Sequence, residues 1–134
     1  MTQESVRTKK ILVLVDDLMF ASRIEGTLGA CGYDVRIAPV TREAAIIARE
    51  WVPEGIVISF GAPFQDWEGA IRAIRAEPSL AEMPLLAFGP HVDTAGRAAA
   101  VAAGATHVVT NGAFFNRMPD VIAVLLGGLD AIRG

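Results

Sequence analysis

Asp16 and Asp17 stand side by side where an uninterrupted apolar run, Ile11-Leu12-Val13-Leu14-Val15, comes to a stop. Paired carboxylates can hold a divalent cation, but Mg²⁺ demands several oxygen ligands in near-octahedral geometry, so two carboxylates alone are an incomplete set. The simpler reading is a solvated loop start in which one carboxylate caps the next helix. Ser59 closes a second apolar run, Gly55-Ile56-Val57-Ile58. A serine hydroxyl becomes a nucleophile only beside a general base, and His91 and His107 are the only histidines. His91 follows a third apolar run, so a Ser59–His91 pair backed by Asp16 or Asp17 is geometrically conceivable. No G-x-S-x-G elbow surrounds Ser59, which leaves it better read as a small polar residue bonded to nearby backbone. Cys31 is the only cysteine; it excludes an internal disulfide or a cysteine-based metal cluster and reads as a small packed residue.

Those residues need elements to hold them. Continuous Ile/Leu/Val runs bounded by polar residues suit strands buried on both faces, and residues 10–15, 33–38, 55–60, 85–88 and 106–110 read as five strands. Between them the apolar spacing turns helical. Phe20, Ile24, Leu28 and Cys31 lie on one helix face, closed by Gly32. Thr41 is placed to cap a helix over 42–51, Asp66 one over 67–76, and Asp93 or Thr94 one over 95–103. Asn111-Gly112 signals a turn before a last helix over 117–132. Phe114-Phe115 precede that helix, and one of the two rings is expected at the surface. The glycines of Gly26-x-x-Gly29-x-x-Gly32 fall within and after a helix, so they do not form a dinucleotide-binding turn. Strands alternating with helices must be joined by crossovers, which makes the sheet parallel and puts helices on both faces.

The bulk numbers agree. The chain has 134 residues, 52% of them apolar and 20% charged, which suits one domain with a real core. Residues 1–9 read as a mobile tail and 10–134 as a single domain. A net charge of −3 argues against a nucleic-acid surface. There is no apolar leader and no run of about 18 apolar residues, so a cytoplasmic protein without a membrane partner is expected.

The order of these features resembles the receiver domain of two-component response regulators over about residues 10–132. Asp16-Asp17 after the first strand matches that family's acidic pair. Pro53-x-x-x-x-x-Ser59-x-x-x-Pro63 has the spacing of its third strand, phospho-acceptor and loop proline. Met83-Pro84-Leu85-Leu86-Ala87-Phe88 is similar to its fourth strand, and Ala103-Gly104-Ala105 to the approach to its fifth. The resemblance implies a flavodoxin-like α/β three-layer sandwich. Its five-stranded parallel sheet would run in the order 2-1-3-4-5 with five helices.

The resemblance also shows what has changed. The family's acceptor aspartate falls at Ser59, its hydroxyl residue after the fourth strand at Gly89, and its lysine after the fifth at Asn111, with Gly112 in place of the next proline. The aromatic of the fifth strand falls at Val108. No Asp lies between Pro53 and Pro63, and no lysine follows Lys10. Acyl-phosphate formation needs a carboxylate nucleophile, and the transferring phosphoryl group needs a cation and hydrogen-bond donors. The expectation is therefore a degenerate receiver in signal transduction, not an enzyme and without a cofactor, with Asp16 and Asp17 a remnant that retains at most a Mg²⁺ site. Its partner would be a signalling protein or a second copy, met on a face carrying Val101, Val121, Val124 and Leu125. The alternative is a small-ligand or ion sensor in the cleft at the strand ends, where Gly61, Gly89 and Gly112 remove side chains.

Overall fold

In a computed structural model, residues 8–62 and 64–127 are described. The five strands are β1 (Lys10–Leu14), β2 (Asp34–Ala38), β3 (Gly55–Ser59), β4 (Leu85–Gly89) and β5 (His107–Thr110). They pair in parallel in the order β2-β1-β3-β4-β5. The register sets Val13 beside Ile37 and Val57, Val57 beside Leu86, and Leu86 beside His107. This is the expected flavodoxin-like topology.

Because alternate strand residues face opposite sides, the sheet divides the core in two. Leu12, Leu14, Ile56, Ile58, Leu85 and Ala87 meet α2 (Ala44–Trp51), α3 (Trp67–Ala76) and α4 (Thr94–Ala103) on one face. Ile11, Val13, Val57, Leu86 and Phe88 meet α1 (Leu18–Ala30), α5 (Asn111–Asn116) and α6 (Met118–Leu125) on the other. Ile11 through Leu14 are wholly buried, which explains why β1 has no polar alternation.

Among the described residues there are six α-helices where five were expected, with a single 3-10 turn at Pro78–Leu80. The extra helix arises at Asn111-Gly112, read from sequence as a turn. Thr110 Oγ1 accepts from the Ala113 backbone N–H at 3.0 Å and starts α5 directly after β5. Arg117 (φ −134°, ψ 36°) then breaks the helix, and Pro119 sits in the first turn of α6. The expected residues 128–132 of the last helix lie outside the described residues, as do residues 1–7 of the expected tail. Two other ends also moved. α2 begins at Ala44 rather than 42, and Thr41 contributes its carbonyl to the Ala44 N–H rather than a side-chain cap. Asp93, not Thr94, caps α4 through Gly96 N at 2.8 Å.

Cys31 is exposed, contrary to the packed position expected. α1 ends at Ala30, and Cys31 lies in the turn beyond it. Neither Phe114 nor Phe115 stands free. Phe114 is wholly buried and stacked on Phe88 at 4.5 Å. Phe115 packs on Phe20 at 4.8 Å, with the Arg23 guanidinium 4.7 Å from its ring centre. The helical path of α5 lets neighbouring rings enter one aromatic cluster from different angles, which an extended loop would not.

Candidate functional site

The carboxyl ends of the strands surround a cleft of about 210 Å³, lined by Asp17, Ser59, Gly61, Gln65, Pro90 and Asn111 among others. In open parallel sheets ligand sites form at this end, because the loops diverge where strand order reverses. The topology therefore brings Asp17, Ser59 and Asn111 together from three strand ends.

Local folding has engaged both carboxylates. Asp17 Oδ1 accepts from the backbone N–H groups of Met19 (2.9 Å) and Phe20 (3.0 Å), so it is the cap of α1. Asp16 Oδ1 accepts from Val40 N at 3.1 Å and its Oδ2 from Gln65 Nε2 at 2.6 Å. The first bond ties β1 to the chain after β2; the second ties it to the loop before α3. Among the described residues no group of three or more His, Cys, Asp or Glu side chains converges as a metal site. Ser59 stands in place of a third carboxylate, so the acidic side chains at this end of β1 are Asp16 and Asp17, both held by hydrogen bonds within the chain.

The Gly89 position is filled as well as bare. A Cβ built there would lie 2.6 Å from Cε1 and Cζ of Phe60. Phe60 is 3% exposed, and its ring packs on Trp67 at 5.6 Å. The ring thus occupies the space into which a side chain after β4 would project. Gly61 follows with φ +97°, a left-handed conformation that favours glycine, and a Cβ there would meet Pro90 Cδ at 2.8 Å. Phe60 and Gln65 were not singled out from sequence. Phe60 read as the last residue of the third strand, which ends one residue earlier at Ser59, and Gln65 has no signal of its own until the fold sets it beside Asp16.

The remaining candidates separate. His91 is exposed in the turn after β4 and does not line the cleft. His107 begins β5, at the opposite end of the sheet from the cleft. The conceivable Ser59–His91–Asp arrangement is therefore not assembled. Val108 is half-buried and packs into the layer that holds α2, α3 and α4. Asn111 opens α5, and its Oδ1 is buried with no hydrogen-bond partner.

Of the expected interaction face, Val101 (60% exposed) and Val124 (41%) are at the surface, on α4 and α6 respectively. Leu125 is 5% exposed and packs into the core, one position round the helix from Val124. Val121 and Val124 wall an apolar groove of about 320 Å³ between β5 and α5–α6, with Val109, His107 and Arg117.

No family model and no curated sequence matches the chain. Solved structures do. A response regulator structure from Chloroflexus aurantiacus J-10-fl superposes with a TM-score of 0.80 at 21% identity, covering 90% of this chain and 99% of that one. The chemotaxis response regulator CheY4 of Vibrio cholerae gives 0.78 at 19% identity, covering 89% and 99%. The signal receiver domain of a histidine kinase from Syntrophus aciditrophicus gives 0.78 at 21%, covering 90% and 92%. The chain has the receiver fold.

Within this fold Ser59 and Asn111 line the cleft from the ends of β3 and β5, while Gly89 closes β4 and is buried. What the fold adds is the Phe60 ring against Gly89 and the Gln65 amide on Asp16. Among the described residues no helix is long and apolar enough to cross a membrane.

Proposed function

We propose that this chain is a receiver-like module of signal transduction that works by binding protein, without phosphorylation, metal or catalysis of its own. The observation that carries this reading is the Phe60 ring packed where a side chain at Gly89 would stand. A missing hydroxyl is only an absence; an aromatic ring buried in its place is a different solution to packing. Ser59 supplies no carboxylate nucleophile and Asn111 no cation, so neither the attack nor the charge on the transferring group is provided for. In a receiver switched by phosphate, the ligand would shift a two-state equilibrium through contacts it makes in one state only. Gly89 and Val108 offer none. The domain then holds one state and presents a constant surface. The contact face we assign is the pair of exposed valines flanking β5, Val101 and Val124, with Val121 in the groove beside them.

The experiment is intact-mass measurement after incubation with acetyl phosphate and Mg²⁺, coupled to partner capture from the source organism. The expected result is an unchanged mass, with capture that ignores acetyl phosphate and fails for Val124→Arg. A phosphoryl adduct, or capture that depends on acetyl phosphate, refutes the reading.

A further inference from the structure

The chain holds two asparagines, Asn111 and Asn116, and only the first is followed by glycine. The Asn111-Gly112 pair opens α5. No hydrogen bond among the described residues involves the Asn111 side chain, and its Oδ1 is buried without a partner. The pair's main-chain donor is unengaged too. Thr110 Oγ1 accepts from the Ala113 N–H at 3.0 Å, and the Gly112 N–H meets no acceptor among the described residues. Gly112 is exposed, and a Cβ built on it would meet no atom within 4 Å.

An unheld side-chain amide beside an unheld, uncrowded main-chain nitrogen is a reactive pair. Glycine suits the attacking position because it puts no Cβ next to the nitrogen. The Gly112 nitrogen gives its proton to a base in solution and attacks Asn111 Cγ. The N–Cγ bond forms, the Cγ–Nδ2 bond breaks, and Nδ2 leaves as ammonia. Water then opens the cyclic imide. Opening at Cγ leaves aspartate; opening at the main-chain carbonyl leaves isoaspartate, with the chain running through the side chain. Nothing is oxidised or reduced. Ring closure requires Asn111 to turn about its Cα–C bond, which strains the Thr110 cap on Ala113. α5 is only six residues long, and so short a helix holds its ends weakly.

We propose that Asn111-Gly112 is a self-modifying site of the folded protein, converting to aspartate or isoaspartate, with the Thr110 hydroxyl as its brake. Either product puts a carboxylate into the cleft that Asp17 and Ser59 line, where the receiver resemblance places a lysine. It adds one negative charge to a chain of net charge −3. Isoaspartate also lengthens the main chain where β5 passes into α5. Ala113, in the wall of the apolar groove, and Phe114, stacked on Phe88 at 4.5 Å, come directly after the altered pair. One bond therefore reaches both the cleft and the groove. The inference goes beyond the protein-binding reading and does not rest on it.

The test incubates the full chain in mildly alkaline buffer and maps its peptides by mass and fragmentation. Exchange of an amide for an acid adds about 1 Da. Asn111 should convert while Asn116, followed by Arg117, stays unchanged. Gly112→Ala has room for its methyl in the folded chain. It should slow conversion about tenfold, a barrier rise of about 1.4 kcal/mol. Thr110→Val removes the cap and should speed conversion in buffer but not in urea, where no cap exists. Circular dichroism establishes that each variant is folded. Conversion of the wild type confined to urea, equal conversion of Asn116, or a rate indifferent to Gly112→Ala or to Thr110→Val overturns the proposal. The acetyl phosphate experiment is read on fresh protein, so the two readings fail separately.

Discussion

Gly89→Ala is the sharpest probe of how the cleft is built. Gly89 is the last residue of β4 and is buried beside Thr110 of β5. Its φ lies outside the left-handed region, so the backbone would accept alanine. In an ordinary strand the change would stabilise by about 0.4–1 kcal/mol, through a less flexible unfolded chain. Here the new methyl would lie 2.6 Å from two atoms of the Phe60 ring and 2.7 Å from a third. Carbon atoms in contact settle at about 3.5–4.0 Å, so the ring must retreat by about 1 Å. It has little room, being pressed on Trp67 and anchored by the bond from its own N–H to Phe88 O at 2.9 Å. Overpacking of this kind costs about 1–3 kcal/mol. The net expectation is a loss of about 1–2 kcal/mol, the difference between these two ranges. Each kcal/mol should lower the melting midpoint by roughly 3–6 °C in a domain of this size. Urea unfolding of wild type, Gly89→Ala, Phe60→Leu and the double variant measures the coupling directly. In the Phe60→Leu background the alanine should be harmless, giving a coupling of about 1 kcal/mol or more. If Gly89→Ala is as stable as wild type, or costs the same with and without the ring, the filled-site argument is wrong.

The N-terminus of α3 should report on pH. The hydrogen bond from Arg42 Nε, at 2.7 Å, is the largest of the causes holding the Asp66 carboxyl below its ordinary value; the cap bond from Gly69 N adds to it. A depressed folded pKa stabilises above the ordinary value of 3.8 and loses that contribution as pH falls through the lowered one. The stability gap between wild type and Asp66→Asn in urea titrations should therefore be present near neutrality and close below pH 3.8; a gap that widens in acid refutes the assignment. Arg75 is the structural cation of the opposite layer, donating to Gly104 O (2.9 Å), Leu80 O (3.0 Å), Ala81 O (3.3 Å) and Thr106 Oγ1 (3.2 Å). Arg75→Met should cost about 2–3 kcal/mol in chemical unfolding by leaving those acceptors unmade, and Arg75→Lys should recover little, because one ammonium cannot span them; full recovery by lysine would mean that charge alone matters.

Much of this was open to reading along the chain because it is local. Ile11–Leu14 and Gly55–Ile58 are buried on both faces and show it by having no alternation. Asp17 and Asp66 cap helices two to three residues away, within the reach of sequence spacing. The errors have the same origin. Asn111-Gly112 carries a turn signal, yet the Thr110 hydroxyl beside it begins a helix, and which of two local preferences wins is settled by Phe114 finding Phe88 across the core. Cys31 keeps helical spacing with Leu28, but the helix ends one residue before it.

By itself, the sequence determined the alternation of five strands with helices, because periodicity and punctuation act over a few residues. It also determined that Ser59, Gly89 and Asn111 stand at three strand ends, since a parallel sheet with crossovers leaves few other placements. Only the tertiary structure decided what fills the space between them. The Phe60 ring over Gly89 and the Gln65 amide on Asp16 join residues 29 and 49 positions apart. Distances in space between such residues follow from sheet register and loop path, which no spacing along the chain records.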